Sequence, residues 1–203
     1  MYDLVAVTGA GISKASGVPT FEEMGELREK LSRGYFEGHP NEFYDVLLTM
    51  KKNIDNAIPN PAHSALVEYK IPVITMNIDG LHGMAGSENV LEVHGNLKHV
   101  LCNKCDKIYD FDIIRESICC PQCNELLQPN VVLYGDSIRY YYDAINLIGS
   151  SKQVLVVGTS FYTSTVNDFV NSAKNAGIKV SVINQNAEEE VKKFLKSQLI
   201  KLN

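Results

Sequence analysis

Two unbroken apolar runs, Leu4–Val7 and Val154–Val157, most constrain how this chain folds. Four apolar residues without alternation read as a strand buried on both faces, and such strands belong to parallel sheets covered by helices. Both runs end in a glycine turn, Thr8-Gly9-Ala10-Gly11 and Gly158-Thr159-Ser160. Further strand candidates are Pro72–Thr75, Val90–Val93, Val131–Leu133 and Val180–Ile183.

Helical patterns fall between them. Phe43, Val46, Leu47 and Met50 sit at i, i+3, i+4 and i+7, which predicts a helix over 42–52. Asn60-Pro61 supplies an N-cap and a first-turn proline for a helix over 61–69. Ile138, Tyr141, Tyr142 and Ile145 have helical spacing. Val166, Phe169, Val170 and Ala173 form a stripe that stops at Gly177, and Val191, Phe194, Leu195 and Leu199 mark a closing helix. Residues 21–40, polar and glycine-rich, read as loop and short helix. Strands alternating with helices predict an α/β fold with a parallel sheet covered on both faces.

A cysteine block interrupts this alternation. All five cysteines lie between Cys102 and Cys123, as Cys102-x2-Cys105 and, after 14 residues, Cys120-x2-Cys123. Two thiolate pairs at this spacing predict a closed tetrahedral zinc site, structural because four thiolates leave no open position. Cys119 is an alternative to Cys120 as third ligand. Paired cysteines of this kind point to a reducing compartment. The N-terminus lacks a basic, cleavable leader, and no apolar run approaches the ~20 residues that cross a bilayer. The expectation is a cytoplasmic protein with no membrane partner. The formal net charge of -5 argues against direct nucleic-acid binding, and so against reading the cysteines as a nucleic-acid module.

Glycines after strand one let backbone N–H groups approach a pyrophosphate, although a tight turn without ligand needs the same residues. The dehydrogenase fingerprint requires a third glycine at position 14, where this chain has Lys14, so hydride transfer is disfavoured. Asn77-Ile78-Asp79-Gly80-Leu81-His82 and His94-Gly95 each follow a strand candidate. A parallel sheet gathers its strand C-termini at one edge, so Asn77, Asp79 and His94 are expected beside the two glycine turns.

In this order and spacing the motifs resemble the sirtuin family of NAD-dependent protein deacylases. The resemblance runs through Gly9–Ser13, Ser16–Phe21, Asn60–His63, Asn77–His82, His94-Gly95, both cysteine pairs, Pro129–Asp136, Gly158–Ser160 and Ile183-Asn184. It implies a Rossmann-like NAD-binding domain of residues 1–20, 72–95 and 131–203. Residues 21–71 would be the helical part of a small domain and 96–130 its zinc-ribbon module.

It also implies a reaction. An acyl-lysine oxygen attacks the nicotinamide ribose, nicotinamide leaves, His94 serves as general base on a ribose hydroxyl, and one water is taken up, yielding deacylated lysine and O-acyl-ADP-ribose. Asn77 and Asp79 would share the catalytic role. NAD would be held by Gly9, Ala10, Gly11, Ile12, Ser13, Thr20, Phe21, Met76, Asn77, Ile78, Asp79, Gly158, Thr159, Ser160, Asn184 and Gln185. Val132, Leu133, Tyr134 and Gly135 would pair with an acyl-lysine protein or peptide, acetyl-lysine by default. Cys102, Cys105, Cys120 and Cys123 would hold Zn2+. Three positions depart from the commoner family pattern: Glu22 stands where Arg is usual, so that it must point away or Arg28 or Arg33 must supply the charge, Met76 stands where Gln is usual, and Thr20 where Asp is commoner. The alternative functions are ADP-ribosyl transfer or NAD hydrolysis in the same fold, or an NAD or ADP-ribose sensor.

Overall fold

The computed structural model describes residues 1–20, 23–160 and 164–199. Phe21 and Glu22, both singled out from the sequence, lie outside the described residues. The strands are β1 Val5–Thr8, β2 Val73–Thr75, β3 Val90–Glu92, β4 Gly95–Cys102, β5 Lys107–Asp110, β6 Gln128–Val131, β7 Gln153–Val157 and β8 Lys179–Ile183. The α-helices are α1 Arg33–Gly38, α2 Pro40–Asp55, α3 Pro61–Glu68, α4 Leu81–Met84, α5 Tyr141–Gly149, α6 Ser164–Asn175 and α7 Ala187–Leu199.

Five strands form one sheet in the order β3-β2-β1-β7-β8. Every pairing in it is parallel. Order reverses at β1, so the crevice beyond the ends of β1 and β7 is the topological switch point where ligands bind in such sheets. Register sharpens the point. Thr8 lies opposite Thr75 and Val157, Thr75 opposite Glu92, and Val157 opposite Ile183. The strands therefore end in one row, and the residues that follow them (Gly9, Met76, Val93, Gly158 and Asn184) emerge at one edge.

Burial explains the strand composition. Alternate residues of β1 and β7 feed two cores: Ala6, Leu155 and Val157 pack with α3 and α7, while Val5, Val7, Val154 and Val156 pack with α5 and α6. All seven are completely buried. Each of the valines and Leu155 contributes about 1.5–3 kcal/mol by leaving water.

Helix boundaries follow local chemistry. The Asn60 side chain accepts Ala62 N–H at 2.9 Å, and Pro61 opens α3. Gly177 adopts a left-handed conformation with φ 71° after α6, and its N–H donates to Lys174 C=O. Along 21–40 a 3-10 turn at Gly25–Lys30 precedes α1. In α5, Ala144 and Ile148 face the core and Tyr142 is exposed, so the apolar stripe predicted there is rotated away from Tyr142.

The strand predicted at Val131–Leu133 is shifted. β6 ends at Val131 and pairs antiparallel with β4, in a separate sheet of order β5-β4-β6. Beyond it the chain turns, because Leu133 N–H donates to Asp136 Oδ2 at 3.0 Å and Asp136 N–H returns to Leu133 C=O. The antiparallel sheet packs with α1 and α2 in a third core containing Phe36, Phe43, Tyr44, Leu47, Leu97, Val100 and Leu127. Core membership splits residues 21–71: α1 and α2 join this third core, whereas Ala62, Ala65 and Leu66 of α3 pack against the parallel sheet.

Candidate active site and zinc site

A cavity of about 1260 Å³ opens along the switch-point edge. That exceeds the ~300–1,000 Å³ usual for one drug-sized ligand, leaving room for a second. Its walls include Gly9, Ala10, Gly11, Thr20, Met76, Asn77, Ile78, Asp79, His94, Gly158, Thr159, Ser160, Asn184 and Gln185, together with Val132, Leu133, Tyr134 and Gly135. Apart from Thr20, these residues come from the ends of all five parallel strands and from the turn after β6. Two of the proposed NAD-binding residues lie behind the wall. Ile12 is a core side chain, and the fully buried Ser13 donates its hydroxyl proton to Asp79 Oδ2 at 2.7 Å.

The two glycine turns pack backbone against backbone. Gly11 N–H donates to Gly158 C=O at 2.7 Å. A Cβ at Gly158, where φ is 64°, would lie 2.2 Å from Ile12 N. Glycine is thus required first for the turns to meet, which then aligns their peptide groups along one cavity wall. Thr159 N–H is held by Asn184 Oδ1 at 3.1 Å.

Behind the wall runs a hydrogen-bonded chain. Asn77 Nδ2 donates to Ser13 Oγ and to Asp79 Oδ2, both at 3.1 Å, and Leu81 N–H donates to Asp79 Oδ1 at 2.9 Å. His63 Nε2 lies 3.5 Å from Ser13 Oγ. Its Nδ1 accepts Asn60 N–H, so the ring proton sits on Nε2 and is directed at Ser13. Burial lowers the His63 pKa, partly offset by Asp79. His82 Nε2 pairs with Thr8 Oγ1 at 2.9 Å, and burial, then His63, pushes its pKa down to about 3. Asn77 and Asp79 are locked in place by the bonds to Ser13 and Leu81. His63 and His82 meet with ring centroids 4.9 Å apart and planes inclined at 59°, a contact that no local pattern in the chain announces.

His94 is poised as a base. Its Nδ1 lies 3.1 Å from Met76 C=O. A carbonyl only accepts, so Nδ1 carries the proton and Nε2 keeps its lone pair. Burial lowers the pKa of this imidazole, against the opposing pull of the Met76 carbonyl, so the unprotonated form persists below the ordinary ~6.5.

Charge at the rim is local. Lys14 pairs with Glu23 at 2.8 Å, and the Thr20 N–H and hydroxyl both donate to Glu23 Oε2. Lys14 first, then Thr20, pulls the Glu23 pKa to about 2. Arg33, one of two cations expected to compensate for Glu22, is committed elsewhere. Its guanidinium forks onto Asp136, both contacts 2.8 Å, and reaches Gln128 at 3.0 Å. Among the described residues that line the cavity, Lys14 is the one lysine or arginine.

The same fork fixes the turn after β6. Tyr134 N–H donates to Leu31 C=O, and Arg33 N–H donates to Tyr134 C=O. The Val132 carbonyl and both backbone groups of Gly135 have no hydrogen-bond partner among the described residues, and both residues line the cavity.

The zinc prediction is resolved at the ambiguous position. The sulfurs of Cys102, Cys105, Cys120 and Cys123 all lie within 4.8 Å of one another. Tetrahedral thiolates at ~2.3 Å from zinc stand about 3.8 Å apart, so the set fits the ion. Cys119 is outside it, its N–H bound to Ser117 Oγ and its residue bridged to Leu126.

Comparison with known proteins agrees with this geometry. The Sir2 family profile matches residues 9–165. The NAD-dependent protein deacetylase of Sulfolobus acidocaldarius is 35% identical over 196 residues, covering 89% of this chain and 78% of its own. That of Bacillus cereus is 34% identical over 198 residues, covering 90% and 82%. A solved structure of Sir2 with a p53 peptide and NAD+ superposes with TM-score 0.85 at 29% identity, covering 98% of this chain and 94% of that one. An α/β sheet with an NAD-sized crevice and a four-cysteine module defines the class, and this chain belongs to the Sir2 family.

Proposed function

We infer that the protein is an NAD-dependent protein-lysine deacetylase. The observation that carries this is His94: a neutral imidazole with a free-electron-pair Nε2 in the same cavity as both glycine turns and the 132–135 turn. Bound NAD supplies an electrophilic ribose carbon with nicotinamide as its leaving group.

The chain's residues do the rest. The two glycine turns line a wall suited to a pyrophosphate: the N–H groups of Gly9, Gly11, Gly158 and Thr159 are bonded within the protein, so Ala10 and Ser160 would supply the donors, with Lys14 as the nearby cation. Asn77 and Asp79, held rigid by Ser13 and Leu81, orient the sugar end. Asn184 and Gln185 lie at the adenosine end. His94 Nε2 accepts a proton from a sugar hydroxyl, and its buried setting keeps it unprotonated for that task. The partner is an acetyl-lysine peptide, added as an extended strand through Val132 C=O and Gly135, a mode that reads backbone more than side chains. Zinc, held by the four thiolates, cross-links the third core and has no open position for chemistry. By the same reading the chain divides into a nucleotide lobe and a zinc-and-helix lobe, with α3 in the former.

Incubating the protein with NAD and an acetylated peptide, followed by mass spectrometry, tests this. Deacetylated peptide with O-acetyl-ADP-ribose is the expected result. ADP-ribose on protein, free ADP-ribose alone, or binding without turnover would replace the reading by transfer, hydrolysis or sensing. His94→Ala should lower turnover at least ~100-fold with an unchanged melting temperature. In the wild type the acid limb of kcat/KM should fall below pH ~6.5, because a base with a depressed pKa stays competent to lower pH.

A further inference from the structure

His94 is held at several points. Its C=O accepts Val132 N–H at 2.9 Å, the preceding Val93 N–H donates to Thr75 C=O at 3.0 Å, and ring Nδ1 donates to Met76 C=O. Nε2, the atom that must take the proton, meets one side-chain hydroxyl among the described residues: Thr165 Oγ1, at 3.4 Å. Thr165 lies in the first turn of α6, lines the cavity and is only 4% exposed. Its neighbours on that helix, Val166, Phe169 and Val170, are apolar core residues. A hydroxyl buried beside such a stripe costs free energy unless it is paired. Its hydrogen-bond partner among the described residues is the imidazole. Valine would occupy the same space without the polar atom, so the hydroxyl needs a reason that shape does not supply.

We propose that Thr165 is a positioning residue for the general base. Its hydroxyl donates to His94 Nε2 and holds the ring turned into the cavity. The Met76 contact fixes one end of the imidazole, and a ring fixed at one end still swings about that bond. Thr165 fixes the other end. The contact is long, as suits one that yields to an incoming sugar hydroxyl. The role rests on the deacetylase reading of the cavity, and Thr165 acts through His94 without touching the reacting atoms.

Two variants, Thr165→Val and Thr165→Ser, and two measurements test it. Nitrogen NMR of the histidine rings in the protein alone should show the His94 Nε2 signal displaced in Thr165→Val toward that of an unbonded lone pair, and restored in Thr165→Ser. In steady-state deacetylation, Thr165→Val should lower kcat about 5-fold, with KM for NAD within about 2-fold of wild type, and Thr165→Ser should recover most of the loss. An Nε2 signal unmoved in Thr165→Val overturns the proposal. So does a loss of kcat that Thr165→Ser shares, or one that tracks a lowered melting temperature. A wild type without deacetylation sinks the deacetylase reading instead, and the NMR comparison then decides the Thr165–His94 contact alone.

Discussion

The two sheets are stabilised in different ways. In the parallel sheet, β1 and β7 are buried at every position, and apolar contact on both faces suffices. In the antiparallel sheet, β5 is mostly open to solvent, with Ile108 68% exposed, and β4 alternates between buried and open positions. One face of that sheet packs on α1 and α2, and its far end converges on four sulfurs. A sheet buried on one side over so short a span gains less from the hydrophobic effect, and a metal cross-link offsets the difference. The two parts meet at one cavity: the parallel edge lends it the glycine turns, and the metal-stapled part lends it the turn after β6, where the proposed function places nucleotide and peptide respectively.

The largest expected effect tests that contrast directly. Chelating zinc, or replacing Cys102 by Ser, should unfold the antiparallel sheet while the parallel sheet persists, because structural zinc contributes on the order of 10 kcal/mol to folding. Amide exchange resolved by segment would show protection lost around 97–128 and kept in β1 and β7. Loss of protection in both sheets together would break the contrast.

Next is Gly158→Ala, aimed at the parallel edge. A Cβ there meets backbone at 2.2 Å and the residue has φ 64°, so the substitution should cost about 3 kcal/mol or more and abolish NAD binding. Denaturant unfolding and calorimetric titration with NAD would check it.

The smallest effect belongs to the joint between the two parts. Arg33→Ala removes the fork to Asp136 and should raise the peptide KM roughly 3–10-fold, leaving the affinity for NAD unchanged. An equal loss of NAD affinity would mean that Arg33 acts beyond the peptide side.

Much of this was legible in the sequence. Short apolar runs rich in β-branched residues and closed by glycine turns read as buried strands of a covered sheet, so Leu4–Val7 and Val154–Val157 announced the parallel architecture. Because each motif directly follows a strand, Asn77, Asp79, His94 and the glycine turns were placed at one edge before any coordinates. Other features were hidden. Val131–Leu133 has strand composition, but Gly135 and Asp136 turn the chain after Val131. Which core α3 joins is likewise not written in its own residues; its packing with α7 decides it. The x2 spacing already favoured Cys120 over Cys119, and the fold of the knuckle, which brings the Cys120 sulfur to the other three, decides between them.

Local patterns thus determined what each segment is: periodicity and turn chemistry act over a few neighbouring residues and leave their mark in order along the chain. The tertiary structure decided which segments meet. That Arg33 answers Asp136, that His63 stands behind Ser13, and that Thr165 faces His94 across 71 positions are outcomes of packing. Hydrogen bonds between residues so far apart depend on the whole fold for their geometry, and no short stretch of sequence encodes them.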